Sequence, residues 1–391
     1  MSLTIKKFNK PLTHLASFHE VVRFFTPNWF AVTMGTGVLA LVLAQVATPN
    51  SLLLTLARLL WAMNIALFSV FTLLYLGRWL LYPQEAYKIF EHPQMSMFLG
   101  TIPMGLATII NGFISFGLPV FGSLAVDIAH QLWRVDAILA IACGIGLPLF
   151  MFTRQSHQLS SMTGLWLLPI VAAEVAAASG WIVAPHVSDP AQQQTMVIFS
   201  MVLWAFSVPV ALSLLAILLL RMALHKLPPV ALSATTWLAL GPIGTGSLGM
   251  FLLSQQSTLL ASNPIFEPFS QVISGFGWIM GILLWGFGAW WLLLAQGITC
   301  HYVKQGIPFN LGWWGYTFPL GVFTLATFKL AQLTAFPFFS ILAIALLVLL
   351  SGIWALVMMK TTRGAWSGKL FFAPCLQESK PINKEPEEKL L

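Results

Sequence analysis

The chain has 391 residues, of which 58% are hydrophobic and only 8% are charged, and its mean hydropathy is +0.84. Soluble domains carry about a quarter charged residues, so this composition excludes a water-soluble globular protein. The formal net charge is +7, but the 19 lysines and arginines are scattered between apolar runs, which excludes the basic surface of a nucleic-acid binder. The composition therefore predicts an integral membrane protein with no nucleic-acid partner.

Ten apolar segments are each long enough, at about 20 residues, to cross a bilayer as a helix. In chain order they cover residues 29–47, 53–81, 95–118, 128–152, 163–184, 196–224, 231–254, 269–296, 311–333 and 338–360. We therefore predict an all-α integral membrane protein with a ten-helix transmembrane domain at residues 26–360. Residues 1–25 are predicted to form a cytoplasmic N-terminal segment. Residues 361–391 are rich in Lys, Glu and Pro, which predicts a cytoplasmic, disordered tail.

The loops between these segments alternate between loops that contain Lys or Arg and loops that contain neither. Arg78, Arg154, Arg221 and Lys304 mark the basic loops. Basic loops face the cytoplasm, so both termini are predicted to be cytoplasmic, which requires an even number of spans. The sequence thus predicts a multi-pass protein of a plasma or inner membrane.

The odd-numbered segments share a short pattern. It reads Thr33-Met-Gly-Thr-Gly in the first, Pro103-Met-Gly-Leu-Ala in the third, Pro169-Ile-Val-Ala-Ala in the fifth, Pro242-Ile-Gly-Thr-Gly in the seventh and Pro319-Leu-Gly-Val-Phe in the ninth. Successive copies begin 66 to 77 residues apart, counted from positions 33, 103, 169, 242 and 319. One helical hairpin has this length, so the pattern predicts five tandem hairpins.

Each repeat contains two spans, so all odd-numbered helices run in the same direction around an axis along the membrane normal. Proline within a span kinks the helix, and a bilayer tolerates this where the freed backbone groups face protein or a water-filled cavity. Small residues also mediate ordinary helix packing, but four prolines in register favour a quasi-fivefold arrangement around a central pore. The predicted pore-lining and kink residues are Thr33, Gly35, Gly37, Pro103, Gly105, Pro169, Pro242, Gly244, Gly246, Pro319 and Gly321.

Five charged residues fall inside the predicted spans, where charge usually marks a transport pathway or an ion pair. Glu174 is predicted near mid-membrane and Lys329 towards the outer end of the ninth segment. Arg58, Arg134 and Asp136 fall in the outer halves of the second and fourth segments. An outer excess of positive charge would attract anions. The open alternative is that Arg134 or Lys329 merely neutralises Asp136 or Glu174, or extends its charged end to the membrane surface.

No pattern of catalytic or metal-binding residues is present. Cys143, Cys300 and Cys375 are far apart and predict neither a disulfide nor a metal site. Gly244-Thr-Gly246-Ser-Leu-Gly249 formally matches a dinucleotide-binding fingerprint, but it lies within a predicted span instead of following a strand. We therefore predict no enzymatic activity, no cofactor and no metal.

Several motifs resemble the tellurite-resistance/dicarboxylate transporter family, which includes the plant slow-type guard-cell anion channel. The most specific are Pro27-Asn-Trp-Phe, Thr33-Met-Gly-Thr-Gly37, Gly100-Thr-Ile-Pro-Met-Gly105 and Gly312-Trp-Trp-Gly-Tyr-Thr-Phe-Pro-Leu-Gly321. Two further segments are most similar to the sulfite-efflux pumps of that family: Ser161-Met-Thr-Gly-Leu-Trp-Leu-Leu-Pro-Ile170 and Arg221-Met-Ala-Leu-His-Lys-Leu-Pro-Pro229.

The resemblance implies a quasi-fivefold bundle, a central pore occluded by a phenylalanine of the ninth helix, here Phe318, and a homotrimer of separate pores. It implies that the partners are the lipid bilayer and a small anion. Sulfite efflux is favoured, with C4-dicarboxylate (malate) transport or a chloride- or nitrate-type channel as alternatives. A non-transporting membrane scaffold is the alternative from another class, and the in-register prolines argue against it.

Overall fold

Residues 11–376 are described by the computed structural model, and within this range the secondary structure is helical, without a β-strand. Ten long helices follow one another along the chain. Their bounds are α1 Pro27–Ala44, α2 Leu52–Leu81, α3 Ser96–Phe121, α4 Ser123–Thr153, α5 Gly164–His186, α6 Pro190–His225, α7 Val230–Leu260, α8 Glu267–Val303, α9 Leu311–Tyr316 continued by Phe318–Thr334, and α10 Pro337–Ser367.

Nine of the helices in this described range are long and apolar enough to cross a membrane. The other is α9, because its α-helical part Phe318–Thr334 has only 17 residues and spans about 26 Å. The 3₁₀ turn Leu311–Tyr316 precedes it and adds about 12 Å, which completes a membrane-crossing length. The ten predicted spans and the all-α membrane fold are confirmed, although most even-numbered helices extend beyond their predicted bounds.

The odd-numbered helices form the interior of the bundle. In α1, α3, α5 and α7, between 61 and 100% of the residues in the most apolar stretch are buried, against 17 to 33% in the five even-numbered helices. Most of Phe318–Thr334 in α9 is buried as well. The even-numbered helices expose large apolar side chains such as Leu73 and Leu293, which suits contact with lipid.

The five inner helices form a closed ring. Around it α1 contacts α3, α3 contacts α5, α5 contacts α7, α7 contacts α9, and α9 returns to α1. Each even-numbered helix contacts the two inner helices that flank it in this order, with α10 between α9 and α1. The predicted quasi-fivefold arrangement of five tandem hairpins is therefore confirmed.

Every inner helix begins with a 3₁₀ segment before it becomes α-helical, a feature that the sequence pattern did not predict. These segments are Pro27–Trp29, Ser96–Gly100, Gly164–Leu167, Val230–Thr236 and Leu311–Tyr316. The repeat prolines follow them: Pro103 and Pro242 are third residues of their α-helical parts, and Pro169 and Pro319 are second residues. The repeat prolines therefore lie at the junction of the 3₁₀ and α-helical segments, and their role as kinks stays a prediction. Proline is tolerated in the first α-helical turn because its fixed backbone angle suits the helix.

The chain before α1 is tied to the loop after α2. The Arg23 guanidinium donates to both carboxylate oxygens of Glu85, at 2.8 and 2.6 Å. These hydrogen bonds, together with the positive charge of Arg23, hold the pKa of Glu85 below its usual value. The short helix His19–Arg23 is thereby anchored beside the bundle.

The prediction of a disordered tail from residue 361 is wrong for residues 361–376. Helix α10 continues to Ser367, and the chain then packs back against α1, where Phe371 stacks on Trp29 with ring centroids 4.9 Å apart. Cys375 is buried and accepts a hydrogen bond at 3.4 Å from the fully buried guanidinium of Arg78. Burial of these side chains supplies the stabilisation that a solvated tail lacks. Residues 377–391, like residues 1–10, lie outside the described range.

Gly244→Ala is expected to destabilise the bundle, because the added Cβ would lie 2.9 Å from the backbone nitrogen of Phe323 on α9. Overpacking of this kind costs about 1–3 kcal/mol. The matched control is Gly286→Ala on α8, where a Cβ would meet nothing within 4 Å. In detergent, thermal unfolding of the Gly244 variant should have the lower midpoint. Equal midpoints for the two variants would contradict the tight α7–α9 contact.

Candidate functional site

Two separate cavities lie inside the ring, and all five inner helices line each of them. A space lined by every member of a closed ring lies on the axis of that ring. One cavity, of about 600 Å³, lies at the N-terminal ends of the inner helices, and we call it the N-end cavity. The other, of about 170 Å³, lies among their C-terminal halves, and we call it the C-end cavity.

Both cavities combine apolar walls with a few polar groups. The N-end cavity is lined by the polar residues Asn28, Gln94, Thr101, Thr235, Asn310 and Lys369. The C-end cavity is lined by Gln45, Thr108, Asn111, Ser115, Thr245 and Lys329. Among the described residues that line them, neither cavity has an aspartate or a glutamate, and each has a single lysine. Their electrostatics therefore favour negative ions over positive ones.

A layer of side chains separates the two cavities at the level of the repeat pattern. We call the first residue of the shared pattern, at 33, 103, 169, 242 or 319, the repeat position of its helix. The N-end cavity extends as far as Met34 and Leu168, each one residue from the repeat position of its helix. The C-end cavity begins at Thr245 and Val322, three residues beyond the repeat position, and at Phe318. The ring of Phe318 is 3% exposed and lies at the deep end of the C-end cavity. Phe318 thus lines the C-end cavity next to the layer that separates the two cavities.

The small residues predicted to line the pore lie instead at contacts between helices, and none of them lines either cavity. A Cβ on Gly35 would meet Thr317, and one on Gly321 would meet Val38. The other glycines show the same behaviour: Gly37 faces Thr108, Gly105 faces Thr33, Gly244 faces Phe323 and Gly246 faces Leu284. Thr33 and the prolines Pro103, Pro169, Pro242 and Pro319 are also absent from both walls. These residues therefore lie outside the two cavity walls, since the narrow ring needs its smallest residues where the backbones meet, and their role in lining a pore stays a prediction.

The predicted intramembrane charges are dispersed. Arg58 and Arg134 are exposed on outer helices, and Arg134 donates at 3.4 Å to Gln131. Lys329 lines the C-end cavity and donates at 3.1 Å to the amide oxygen of Gln255. Within residues 11–376, neither Arg134 nor Lys329 pairs with an acidic residue, so the alternative in which they neutralise Asp136 or Glu174 fails.

The two buried acids lie away from the cavities. Glu174 on α5 accepts a hydrogen bond at 3.2 Å from the hydroxyl of Ser207 on α6, and its other oxygen has no partner. Asp136 on α4 is fully buried, and neither of its carboxylate oxygens has a partner. Neither acid lines the axis, so the acidic groups are separated from the candidate path.

Sequence reasoning missed five of the six polar residues of the C-end cavity, and Asn111 and Thr245 are two of them. Each lies on an inner helix beyond the repeat position, eight and three residues on respectively. A search for polar residues at those offsets in the odd-numbered segments would have found them. Their neighbours in the cavity come from helices that are distant in sequence, so only the folded ring shows that they share one space.

Comparisons with known proteins agree with this architecture. A family model described as SLAC1, voltage-dependent anion channel, matches residues 24–362. The chain is 35% identical over 351 residues to the sulfite efflux pump SSU1 of Arthroderma benhamiae, and 34% identical over 351 residues to that of Trichophyton rubrum. Each alignment covers 89% of this chain and 92% of the relative. The malic acid transport protein of Schizosaccharomyces pombe is 22% identical over 343 residues, with 86% of this chain and 77% of the relative covered.

The family match covers most of the chain, and the ring of five inner helices with acid-free axial cavities suits the passage of an anion. The family resemblance carried by the sequence motifs is confirmed. The chain is a multi-pass membrane protein that belongs to the SLAC1 voltage-dependent anion channel family, a family of anion transporters and channels.

Proposed function

We propose that this protein exports sulfite from the cell along the axis of its inner ring. The observation that carries the proposal is the pair of axial cavities, in which Lys369 and Lys329 are the charged lining residues within the described range. In a low-dielectric passage one fixed positive charge strongly favours an anion, because a bare charge is poorly screened there.

One observation favours sulfite over a dicarboxylate. The sulfite efflux pumps of Arthroderma benhamiae and Trichophyton rubrum are similar to this chain at 34 to 35% identity, whereas the malic acid transport protein is similar at 22%. The C-end cavity of about 170 Å³ is near the size of engineered cavities of about 150 Å³ that accept benzene, so it has room for one compact oxyanion. Malate transport and a chloride- or nitrate-type channel remain the second candidates.

Phe318 is the proposed gate. Its ring lies next to the closed layer, where an anion would have to lose its hydration shell against an apolar surface. Hydrophobic constrictions of this kind close a pore by excluding water. Phe318 is the first residue of the α-helical part of α9, so a rotation at the 3₁₀ junction would move the ring. The homotrimer of separate pores stays a prediction from the family resemblance.

The proposed direction follows from the loop charges. Arg78, Arg154, Arg221 and Lys304 lie at or just after the C-terminal ends of even-numbered helices, on the side of the N-end cavity, and basic residues at the ends of spans face the cytoplasm. The N-end cavity with Lys369 would then collect anions from the cytoplasm, and the C-end cavity would open to the outside.

Expression of this protein in a sulfite-sensitive host should raise the sulfite concentration that the host tolerates. Purified protein in liposomes should carry sulfite, measured as loss of sulfite from loaded vesicles, and should carry malate more slowly. Empty liposomes are the control. Unchanged tolerance together with fast malate flux would move the proposal to dicarboxylate transport.

Phe318→Ala is expected to raise sulfite flux severalfold, because the apolar barrier is removed while the cavity walls remain. The matched control is Phe323→Ala, five residues later on the same helix. Phe323 is 1% exposed, stacks on Trp285 with centroids 5.7 Å apart and lines neither cavity. Its loss should cost about 3–5 kcal/mol of stability and yield less folded protein without faster flux. A well-folded Phe318 variant with wild-type flux would contradict the gate.

Cysteines introduced at Ser123 and Ser188 are expected to react with an impermeant thiol reagent in intact cells. Ser123 is exposed at the first residue of α4 and Ser188 is exposed in a loop, and both lie on the side of the C-end cavity. A cysteine at Ser160, in an exposed loop with Arg154, should react only after the membrane is permeabilised. Serine is chosen over the neighbouring Gly122, whose φ of +58° would strain a cysteine. The reverse labelling pattern would invert the proposed orientation.

A further inference from the structure

We propose that the C-end cavity contains a binding site for one small oxyanion, formed by Lys329, Asn111 and Thr245. The inference rests on the proposed transport function and adds to it a defined site beyond Phe318. The three residues belong to α9, α3 and α7, so the site exists only when the ring is closed.

Thr245 supplies the first unused donor. Its side chain is 1% exposed, lines the cavity and has no hydrogen-bond partner for its hydroxyl. Hydroxyls of other threonines on the inner helices have hydrogen-bond acceptors. The Thr108 hydroxyl donates to the carbonyl of Gly105, and the Thr324 hydroxyl donates to the carbonyl of Leu320. A buried hydroxyl without a partner costs free energy, and an oxyanion in the cavity would accept its hydrogen bond.

Asn111 supplies the second donor. No hydrogen bond of its NH₂ group is present in the described range, and this group, not the unpartnered amide oxygen, would donate to an anion. Its amide lines the cavity and can present its NH₂ group to an anion. Asn111 lies eight residues beyond the repeat position and Lys329 lies ten, so along the axis they differ in height by about 3 Å.

Lys329 supplies the charge. It lines the same cavity, and its ammonium donates at 3.1 Å to the neutral amide of Gln255, not to a carboxylate. An ammonium has three donors, so others remain for a ligand. Helices α3 and α9 are not neighbours in the ring, which places Asn111 and Lys329 on different sides of the axis. An anion between them would accept hydrogen bonds from several directions.

The three residues lie at different distances from Phe318 along the axis. Thr245 lies nearest the layer of Phe318, Asn111 lies further along, and Lys329 lies towards the C-terminal ends of the helices. An anion that passes Phe318 would replace part of its lost hydration with these donors in order. The site would thereby lower the barrier for crossing the apolar layer.

The test measures sulfite binding to purified protein by isothermal titration calorimetry, alongside sulfite flux in liposomes. Lys329→Gln should raise the dissociation constant about tenfold or more, because a charged hydrogen bond is lost. Lys329→Arg should stay within about threefold of wild type, since it keeps a positive donor. The matched control is Arg134→Gln, an exposed cation of α4 outside the cavity, which should bind as wild type does.

Thr245→Val is the second variant, since it keeps the shape of the side chain and removes only the hydroxyl. It should weaken sulfite binding about fivefold, whereas Thr324→Val, whose hydroxyl donates to a carbonyl and does not line the cavity, should not. If the wild type carries sulfite and the folded Lys329→Gln and Thr245→Val variants both bind it as the wild type does, the proposed site is wrong and the proposed function stands. If the wild type neither binds nor carries sulfite, both proposals fail.

Discussion

The close approach of five inner helices is the constraint on which the rest of this structure depends. Lipid provides no hydrophobic force between apolar helices, so their association relies on packing. Gly35 and Gly321 lie at the contact of α1 with α9, and Gly244 lets α7 approach the backbone of α9. A ring this tight leaves little space on its axis. The two cavities and the closed layer between them follow from that geometry.

The same ring separates the charges of the protein by sign. Each axial cavity has one lysine and no acidic residue among its described lining. The buried acids are placed off the axis, where Glu174 meets a hydroxyl of the outer helix α6 and Asp136 belongs to the outer helix α4. A negative charge on the axis would repel an anion strongly at low dielectric, so this separation is a requirement for anion passage.

The change from 3₁₀ to α geometry in every inner helix connects the fold to the proposed gate. Proline in the first α-helical turn stabilises this junction, because it needs no amide donor and has a suitable backbone angle. In α9 the junction lies between Tyr316 and Phe318, so it is adjacent to the residue proposed as the gate.

The sequence by itself determined the number of spans, the five hairpins and the placement of odd-numbered helices inside. Hydropathy and repeats are local signals, and a bilayer leaves a chain few other ways to satisfy its backbone. Only the tertiary structure decided which way each side chain points around a helix. It turned Gly105 towards Thr33 instead of the axis, paired Lys329 with Gln255, and brought Asn111 and Thr245 into one cavity. The two residues of each of these pairs are separated by more than 70 positions in the chain, and only the packing of the closed ring brings them together.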